Sequence, residues 1–289
     1  MIDFIVNPKS GKGKGRKAIK IISKYCKKCS VEFAIHITAG KGHATKIAKS
    51  LCLSGADTVV AVGGDGTFHE VLNGIDDFEK TRIGFVPAGR GNDYARAAKL
   101  NLNLKKAVQD IVHGEEIRSD YIQVGSVRCL NVAGTGLDTE VLKRVMGKSG
   151  KITYLKSLLY CIKHFEPYKI RITQNGQTHE EDVIMIGVCN GIAIGGGMKL
   201  SPNSDPSDGK METVSIRVPK NGKIMKALVA FLKGKHIGEE YTTVFPADEV
   251  NIEPAVPQTV QIDGELYDGL DFSCRIVKSG LKTFRGSAR

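Results

Sequence analysis

The chain has 289 residues, of which 41% are hydrophobic and 25% are charged, and its formal net charge is +11. This composition is typical of a globular protein with enough residues for two domains. No apolar run approaches the roughly 20 residues of a membrane span, and the acidic, strand-like start is not a signal peptide. Seven scattered cysteines argue against a disulfide framework. We therefore expect a cytoplasmic protein.

Strands and helices alternate over the first 120 residues, which predicts a doubly wound parallel sheet. Ligands of such sheets bind at the carboxyl ends of the strands. A glycine-rich loop follows the first, third and fourth predicted strands, so we expect one phosphate-binding site where the three loops meet. The strands are predicted near 2–6, 31–37, 58–62 and 82–86, the helices near 14–29, 43–53, 67–75, 92–98 and 104–112, and the loops at 7–15, 63–67 and 87–93.

The segment 59–72, VVAVGGDGTFHEVL, joins a buried strand to a helix through a glycine turn. Such a turn directs backbone N–H groups and the positive end of the helix dipole at an anion. We expect Thr67 to be the N-cap of the helix and Glu70 to complete a capping box. Asp65 lies inside the turn, where a carboxylate suits a metal ion that accompanies phosphates. A tight turn without a ligand is the alternative.

The first loop, NPKSGKGKG, does not fit the Walker pattern, because Val6 and Gly13 occupy the positions of a required glycine and a required hydroxyl residue. The three loops also lack the GxGxxG fingerprint of dinucleotide-binding folds. Asn7, Ser10, Gly11 and the neighbouring lysines nevertheless suit the phosphates of a nucleotide. A solvated, flexible basic loop is the alternative interpretation.

From about residue 120 the chain consists mainly of alternating, β-branched segments separated by turn signals such as Asn175-Gly176. This pattern predicts a second, mostly antiparallel domain, of the sandwich type, with helices only near 136–146, 152–164 and 223–233. The fold class is therefore α/β with a β-rich second domain. Its strands are predicted near 121–124, 128–132, 170–173, 183–189, 211–218, 241–245, 250–252, 256–263 and 271–277.

Two acidic turns of the second half are candidates for chemistry. In the sequence IDGE, an apolar strand ends at Asp263 and Glu265, which suits either catalysis or an ordinary hairpin. In the loop SPNSDPSDG, Asp205 and Asp208 can clamp a hard cation together with backbone carbonyls. Solvated loop aspartates are the alternative for the second turn.

Much of the positive charge lies near the start of the chain. Residues 1–50 contain 12 Lys or Arg but only Asp3 and Glu32 as acidic residues. With 6% aromatic residues and no nucleic-acid-binding module, we expect no nucleic acid partner. Nucleotide phosphates and an anionic membrane surface remain as partners. The polar face of the first helix suits peripheral membrane docking, or simple solvation, through Lys17, Lys20, Lys24, Lys27 and Lys28.

Four motifs together resemble the diacylglycerol kinase catalytic-domain family, especially its bacterial soluble lipid kinases, which are also similar to sphingosine kinases. They are GGDGTFHEVLNGI from Gly63, PAGRGNDYAR from Pro87, NPKSG from Asn7 and IDGE from Ile262. The first two together are specific, whereas GGDGT alone also occurs in NAD kinases and phosphofructokinases. The resemblance covers the whole chain. It implies an ATP-dependent kinase of a lipid hydroxyl, with diacylglycerol, converted to phosphatidate, as the expected substrate.

The resemblance also implies an organisation and a set of site residues. It places a nucleotide-binding domain at 1–120, to which about 280–289 return, and a lipid-substrate domain at 121–279, with the active site in the cleft between them. It makes Glu265 the general base and assigns Asp65 and Asp93 to the catalytic Mg²⁺. A structural Mg²⁺ would bind Asp205, Asp208 and a carbonyl near Lys210. The residues implied in ATP binding are Asn7, Pro8, Lys9, Ser10, Gly11, Thr38, Gly64, Asp65, Gly66, Thr67, Phe68, His69, Glu70 and Asn92.

The chain departs from the family pattern at two places. Arg90 and Gly91 stand where a Thr or Ser is common, which replaces a hydroxyl contact to phosphate by a charge. Ser207 precedes Asp208 where two aspartates are usual, which weakens the structural metal site. A kinase of a soluble substrate such as NAD, and a non-catalytic lipid-binding module of the same fold, are the alternative functions. The identity of the lipid and the formation of a homodimer stay open.

Overall fold

The first part of the chain forms a four-stranded parallel sheet, as the alternation of strands and helices predicts. The computed structural model describes residues 1–145, 151–195, 197–220 and 224–285, without the side chains of 151, 152, 154 and 155. The elements are β1 (Ile2–Val6), α1 (Ser10–Lys28), β2 (Phe33–Ile37), α2 (His43–Leu53), β3 (Thr58–Gly63), α3 (Asp65–Leu72), β4 (Arg82–Pro87), α4 (Asp93–Ala97) and α5 (Leu104–His113). The strand order is β2-β1-β3-β4.

The central strand β3 is buried over its whole length and explains the doubly wound arrangement. Its residues point alternately into two apolar cores. Val59 and Ala61 pack in the core that contains side chains of α2 and α3. Val60 and Val62 pack in the other one, with the apolar residues of α1 and α5. Helices therefore cover both faces of the sheet, and the carboxyl ends of β1, β3 and β4 lie side by side at one edge.

Helix α3 begins earlier than predicted. Its N-cap is Gly64, which makes no side-chain cap, so the predicted cap at Thr67 and its capping box are wrong. The helix can start directly after β3 because Thr67 folds back onto Gly63, where a Cβ would lie 2.4 Å from the Thr67 Oγ1. The Glu70 carboxylate instead accepts backbone N–H groups at the start of α2, from Gly42 at 2.8 Å and Ala44 at 3.0 Å.

Helix α1 likewise starts before the predicted residue, at Ser10, although its first turn is irregular. Gly11 and Gly13 have φ values of 53° and 90° and lie in the left-handed region. Gly11 also packs against the loop after β4, where a Cβ would lie 2.1 Å from the carbonyl oxygen of Ala88. Only glycine can bring the first and third glycine-rich loops this close.

The second part of the chain is a β-sandwich with three helices in the described ranges. Its two antiparallel sheets have the orders β14-β13-β10-β7-β16-β17 and β6-β5-β18-β15-β8-β9, and a short hairpin, β11-β12, lies apart from them. The elements are β5 (Glu116–Val124), β6 (Val127–Cys129), β7 (Val132–Gly136), α6 (Leu137–Val145), α7 (Lys151–His164), β8 (Tyr168–Gln174), β9 (Gln177–Val183), β10 (Met185–Cys189), β11 (Ala193–Ile194), β12 (Met198–Lys199), β13 (Met211–Ile216), α8 (Ile224–Leu232), β14 (Thr242–Ala247), β15 (Glu249–Pro254), β16 (Thr259–Ile262), β17 (Glu265–Asp268) and β18 (Ser273–Phe284).

The antiparallel sandwich predicted from the alternating segments is thus confirmed, and its core contains the inward-facing residues of both sheets. Parts of three predicted segments lie outside the described residues. They are residue 146 at the end of one predicted helix, residue 223 at the start of another, and residues 286–289 of the C-terminus that is predicted to return to the first domain.

Strand β18 reaches back to the first sheet, because Leu281 and Phe284 pack in the cores on the two faces of that sheet. None of the helices in the described ranges is both long and apolar enough to cross a bilayer. The predicted domain limits stay a prediction.

Arg128 of the second part clamps the end of α3. Its guanidinium donates to the carbonyl oxygens of Leu72, at 3.0 Å, and of Ile75. Its backbone N–H donates to Asn73 Oδ1 at 2.8 Å, and Asn73 Nδ2 donates back to its carbonyl at 3.1 Å. The two parts of the molecule therefore share α3 as a fixed element.

We expect Phe68→Ala to destabilise the protein by about 3–5 kcal/mol, the usual cost of removing a buried phenyl ring. Phe68 is 1% exposed, and its ring stacks on that of Phe85 with the centroids 4.4 Å apart. The matched control is Leu53→Ala, because Leu53 is 76% exposed and its loss should change stability by within about 0.5 kcal/mol. Urea unfolding followed by circular dichroism measures both changes. A loss below about 1 kcal/mol for Phe68→Ala would contradict the packing described here.

Candidate active site

An open cavity of about 590 Å³ lies at the carboxyl edge of the first sheet. It brings together most of the residues that the resemblance assigns to ATP with the predicted base from the second domain. These are Asn7, Lys9, Ser10, Gly11, Thr38, Gly64, Gly66, Thr67, Glu70 and Glu265. The remaining lining residues were not predicted in that role and are Ala39, Gly40, Lys41, Ala44, Gly89 and Arg90.

The first loop is fastened to the glycine turn by Asn7. Its Nδ2 donates to Thr67 Oγ1 at 3.2 Å, and its Oδ1 accepts the backbone N–H of Lys9 at 3.1 Å. Ser10 Oγ donates to the Asn7 carbonyl oxygen at 3.0 Å. The positive end of α3 and the loop lysine therefore face one volume, which is the arrangement that binds phosphate groups.

Asp65 connects the glycine turn to the third loop. Its Oδ2 accepts the backbone N–H of Asn92 at 2.7 Å. Burial raises the pKa of Asp65 above its ordinary value, although the N–H groups of Asn92, Asp93 and Tyr94 oppose this rise. Its second oxygen, Oδ1, is buried without a hydrogen-bond partner among the described residues. A buried carboxylate oxygen of this kind is available to a ligand.

A small cavity of about 30 Å³ adjoins Asp65 on the side of the second domain. Asp93, Asn131, Gln261 and Asp263 also line this cavity, and Asn131 Oδ1 is a second buried oxygen without a partner in the described ranges. The volume is about that of one water molecule. Carboxylate and amide oxygens around such a space form a donor set that suits a hard cation.

The IDGE hairpin is tied to α3 by a buried chain of hydrogen bonds. Asp263 Oδ2 lies 3.1 Å from His69 Nδ1, and His69 Nε2 lies 2.7 Å from the Tyr267 hydroxyl. Burial raises the pKa of Tyr267 to about 12, so this hydroxyl keeps its proton. The backbone N–H groups of Leu130 and Asn131 donate to the two Asp263 oxygens at 2.9 and 2.8 Å.

The Asp263 carboxylate stays charged in this buried position. Burial acts to raise its pKa, but the hydrogen bonds from His69, Leu130 and Asn131 outweigh it and hold the pKa below the ordinary value. Asp263 has a φ of 52°, so the hairpin turns within the left-handed region at this residue. The turn places Glu265 at the start of β17.

Glu265 lies between the glycine turn and the loop after β2. A Cβ on Gly66 would lie 3.1 Å from Glu265 Oε1, so this oxygen directly faces the turn. The other oxygen, Oε2, forms an ion pair with Lys41 Nζ at 2.6 Å. A carboxylate at the mouth of a phosphate-binding turn has the position of a general base for an incoming hydroxyl group.

Several predicted site residues lie outside the large cavity. The Phe68 ring belongs to the first core, and the His69 ring is occupied by Asp263 and Tyr267, so neither side chain points at the cavity. Sequence spacing could not show this, because it does not fix which way the start of α3 faces. Asn92 supports the third loop, since its Oδ1 accepts the Gly89 N–H at 3.0 Å. Pro8 is also absent from the lining.

The predicted structural metal loop has its carboxylates engaged within the protein. Asp205 Oδ1 accepts the N–H of Ser207 at 3.1 Å and its hydroxyl at 2.6 Å, and Oδ2 lies 3.6 Å from Lys99 Nζ. Asp208 Oδ1 accepts the backbone N–H of Lys210 at 3.0 Å. No cluster of three or more acidic, His or Cys side chains suited to a metal occurs in the described ranges. The structural Mg²⁺ stays a prediction.

Sequence reasoning missed three side chains of the site: Lys41, Asn131 and the buried Asp263 as a support for the base. Lys41 lies in a loop without a motif, and Asn131 lies in the break between β6 and β7. The Asp263-Gly264 turn signal was visible, but a turn signal does not reveal that the aspartate points inward to another domain.

Comparison with known proteins finds relatives of both parts of the chain. The family model described as the diacylglycerol kinase catalytic domain matches residues 2–124, and the one described as the YegS C-terminal NAD kinase beta sandwich-like domain matches residues 131–284. A diacylglycerol kinase of Bacillus subtilis (strain 168) is 27% identical over 273 residues, which cover 92% of this chain and 90% of the relative.

Solved structures share the fold. A diacylglycerol kinase of Bacillus anthracis superposes with a TM-score of 0.76 at 21% identity, over 99% of this chain and 97% of that chain. An NAD kinase of Archaeoglobus fulgidus, solved with ATP, superposes with a TM-score of 0.53 at 15% identity, over 99% and 93%. The two family models together match residues 2–124 and 131–284, and a putative lipid kinase, YtlR, of Bacillus subtilis (strain 168) is 30% identical over 300 residues, which cover 93% of this chain and 94% of the relative. The chain therefore belongs to the diacylglycerol kinase catalytic-domain family of phosphotransferases.

Proposed function

We propose that this protein is an ATP-dependent lipid kinase that transfers the γ-phosphate of ATP to the hydroxyl group of diacylglycerol and releases phosphatidate. The observation that carries the proposal is the position of Glu265, which reaches from the second domain to the glycine turn of the first. Membership in the family supports the use of ATP, and the relative named a diacylglycerol kinase supports the choice of lipid.

The residues divide the work of phosphoryl transfer. In such reactions the protein mainly positions the reactants and stabilises charge. The N–H groups at the start of α3, together with Lys9 and Arg90 of the cavity wall, stabilise the phosphate oxygens. Glu265 accepts the proton of the lipid hydroxyl as its oxygen forms the bond to the γ-phosphorus. ADP then leaves with the electron pair of the broken P–O bond.

We place the Mg²⁺ ion of the proposed reaction in the small cavity beside Asp65, where two carboxylates and an amide, rather than three acidic side chains, would hold it. The buried oxygens Asp65 Oδ1 and Asn131 Oδ1 have no hydrogen-bond partner in the described part of the chain, and Asp93 lines the same space. Mg²⁺ prefers such oxygen ligands and usually keeps several waters. When bound, it would supply positive charge for the phosphate oxygens. Asp65 must be deprotonated for this role, so its raised pKa predicts weaker binding as the pH falls.

We propose that the lipid chain enters the second domain at an apolar cavity, which has room for a few methylene groups before side chains must move. It has a volume of about 60 Å³ and lies among residues of α7 and α8, such as Leu158, Ala227 and Phe231. Ile194 lines both this cavity and the small carboxylate cavity, so the two spaces adjoin. A lipid chain held here would place its hydroxyl group toward Asp65 and Glu265. The same two helices expose the apolar side chains Leu159, Tyr160, Met225, Val229 and Leu232.

Peripheral contact with the cytoplasmic face of an anionic membrane belongs to the same proposal. The predicted basic face of α1 is solvent-exposed, including Lys24 and Lys27. Each such lysine contributes about 1 kcal/mol near an anionic bilayer. A substrate that resides in the bilayer requires the enzyme to dock there, at least during turnover.

The test of the function is an assay with Mg-ATP and a bacterial lipid extract, in which mass spectrometry identifies the phosphorylated product. We expect phosphatidate, and we expect Glu265→Gln and Asp65→Ala each to lower turnover by at least ~10² with the fold unchanged, since each removes a general base or an electrostatic group. Circular dichroism serves as the control for folding. Near-normal turnover of either variant would contradict its role, and phosphorylation of NAD in place of lipid would contradict the substrate.

Ala227→Trp should fill the apolar cavity, because Ala227 is 9% exposed and lines it. We expect kcat/KM for a long-chain diacylglycerol to fall by at least ~10-fold, the scale on which an apolar pocket discriminates between chains. The value for a water-soluble short-chain diacylglycerol should change much less. Equal losses for both substrates would show that the cavity does not hold the chain.

Lys24→Ala/Lys27→Ala should weaken binding to liposomes that contain phosphatidylglycerol by roughly 30-fold, from about 1 kcal/mol for each lysine. Co-sedimentation at low and high salt measures the binding. The control is Lys169→Ala/Arg275→Ala, which removes the same charge from exposed positions of the second domain. If the two double variants bind alike, or if binding ignores salt and lipid charge, α1 is not the docking element.

A further inference from the structure

We propose that Lys41 is a catalytic residue of this kinase, whose ammonium group neutralises Glu265 before transfer and then stabilises the transferring phosphate group. The proposal rests on the proposed function, in which Glu265 is the general base. Lys41 belongs to no motif and emerges from the structure alone. Its Nζ lies 2.6 Å from Glu265 Oε2.

The loop that carries Lys41 is held in place on both sides. Gly42 and Ala44 donate their N–H groups to the Glu70 carboxylate of α3, at 2.8 and 3.0 Å. The N–H of Ala39 donates to His43 Nδ1 at 2.9 Å. Although the Lys41 side chain is 74% exposed, its backbone is therefore fixed to the helix that begins at the phosphate-binding turn.

The position of Glu265 creates an electrostatic problem that needs a cation. One of its oxygens faces Gly66 of the turn where the phosphates bind, so the base and the γ-phosphate are two anions in one cavity. The negative charges of the carboxylate and of the γ-phosphate repel each other when both lie in one cavity. Glu70 and Arg90 line the same cavity, and Tyr267 and Asp263 lie on the hairpin of Glu265. Among the described residues, only Lys41 forms an ion pair with Glu265.

During the reaction Glu265 loses its negative charge, and the Lys41 ammonium group can then interact with the transferring phosphate group. The hydroxyl proton passes to Glu265, which becomes neutral, while the lipid oxygen bonds to the γ-phosphorus and the bond to the ADP oxygen breaks. The negative charge that Lys41 faced on Glu265 is then lost, while the transferring phosphate group keeps its own. A flexible ammonium group with three donors can turn from the carboxylate to the phosphate oxygens. Stabilisation that grows along the reaction lowers the barrier rather than strengthening substrate binding.

The experiment compares Lys41→Met, Lys41→Arg and the control Lys49→Met in the diacylglycerol kinase assay, with kcat and KM measured separately. Lys49 is an exposed lysine of α2 outside the cavity. We expect Lys41→Met to lower kcat by at least ~10-fold, and Lys41→Arg and Lys49→Met to keep most of it.

A double variant separates this role from simple binding of ATP. In the Glu265→Gln background, Lys41→Met should cost much less than in the native enzyme, because the two side chains act on one step. A Lys41→Met enzyme with unchanged kcat, or with only a raised KM for ATP, would overturn the proposal. An inactive native protein would overturn the proposed function as well, whereas an active native protein with an unaffected variant would overturn the role of Lys41 alone.

Discussion

The Asp263 carboxylate is buried at the junction of the two domains, and a buried charge is stable only when it is paired and hydrogen-bonded. It forms a hydrogen bond with His69 of α3 and accepts two backbone N–H groups from the segment between β6 and β7. These partners exist only when both domains are folded and docked together. The hairpin that contains Asp263 also carries Glu265, so the interaction that joins the domains also positions Glu265, the proposed base.

Helix α3 is the element on which the active site converges. Its start presents N–H groups to the large cavity, its flank supplies His69 to Asp263, and Arg128 occupies its end. Because a helix is stiff over eight residues, these three contacts fix the distance between the phosphate-binding turn and the second domain. A shift of the helix would displace both the proposed base and the phosphate-binding turn. The many polar contacts of this short helix prevent such a shift.

The sequence was informative wherever burial or glycine spacing left few alternatives. The apolar run 59–62 of β3 and the glycine loops after β1, β3 and β4 were enough to predict the parallel sheet and the convergence of the loops. The start of α3 was mispredicted because the cap rules favour Thr67, whereas close packing on Gly63 starts the helix earlier. The directions of side chains could not be predicted. The Glu70 carboxylate accepts N–H groups at the start of α2, and the Phe68 and His69 side chains are buried. Lys41 and Asn131 are recognisable only from neighbours far away in the sequence.

The charges of the site explain only part of the uneven distribution of charge along the chain. The cavity gathers Glu265, Glu70 and, in the proposed function, a nucleotide triphosphate, while Asp65 and Asp93 line the adjoining space. So many anions in partly buried positions would repel one another unless cations lay near them. The cations that line the cavity, Lys9, Lys41 and Arg90, come from three separate loops of the first domain. Much of the excess positive charge of residues 1–50 lies on α1, however, away from these carboxylates. That excess is therefore larger than the site itself requires, and the proposed docking on an anionic membrane surface is the role that we assign to the remainder.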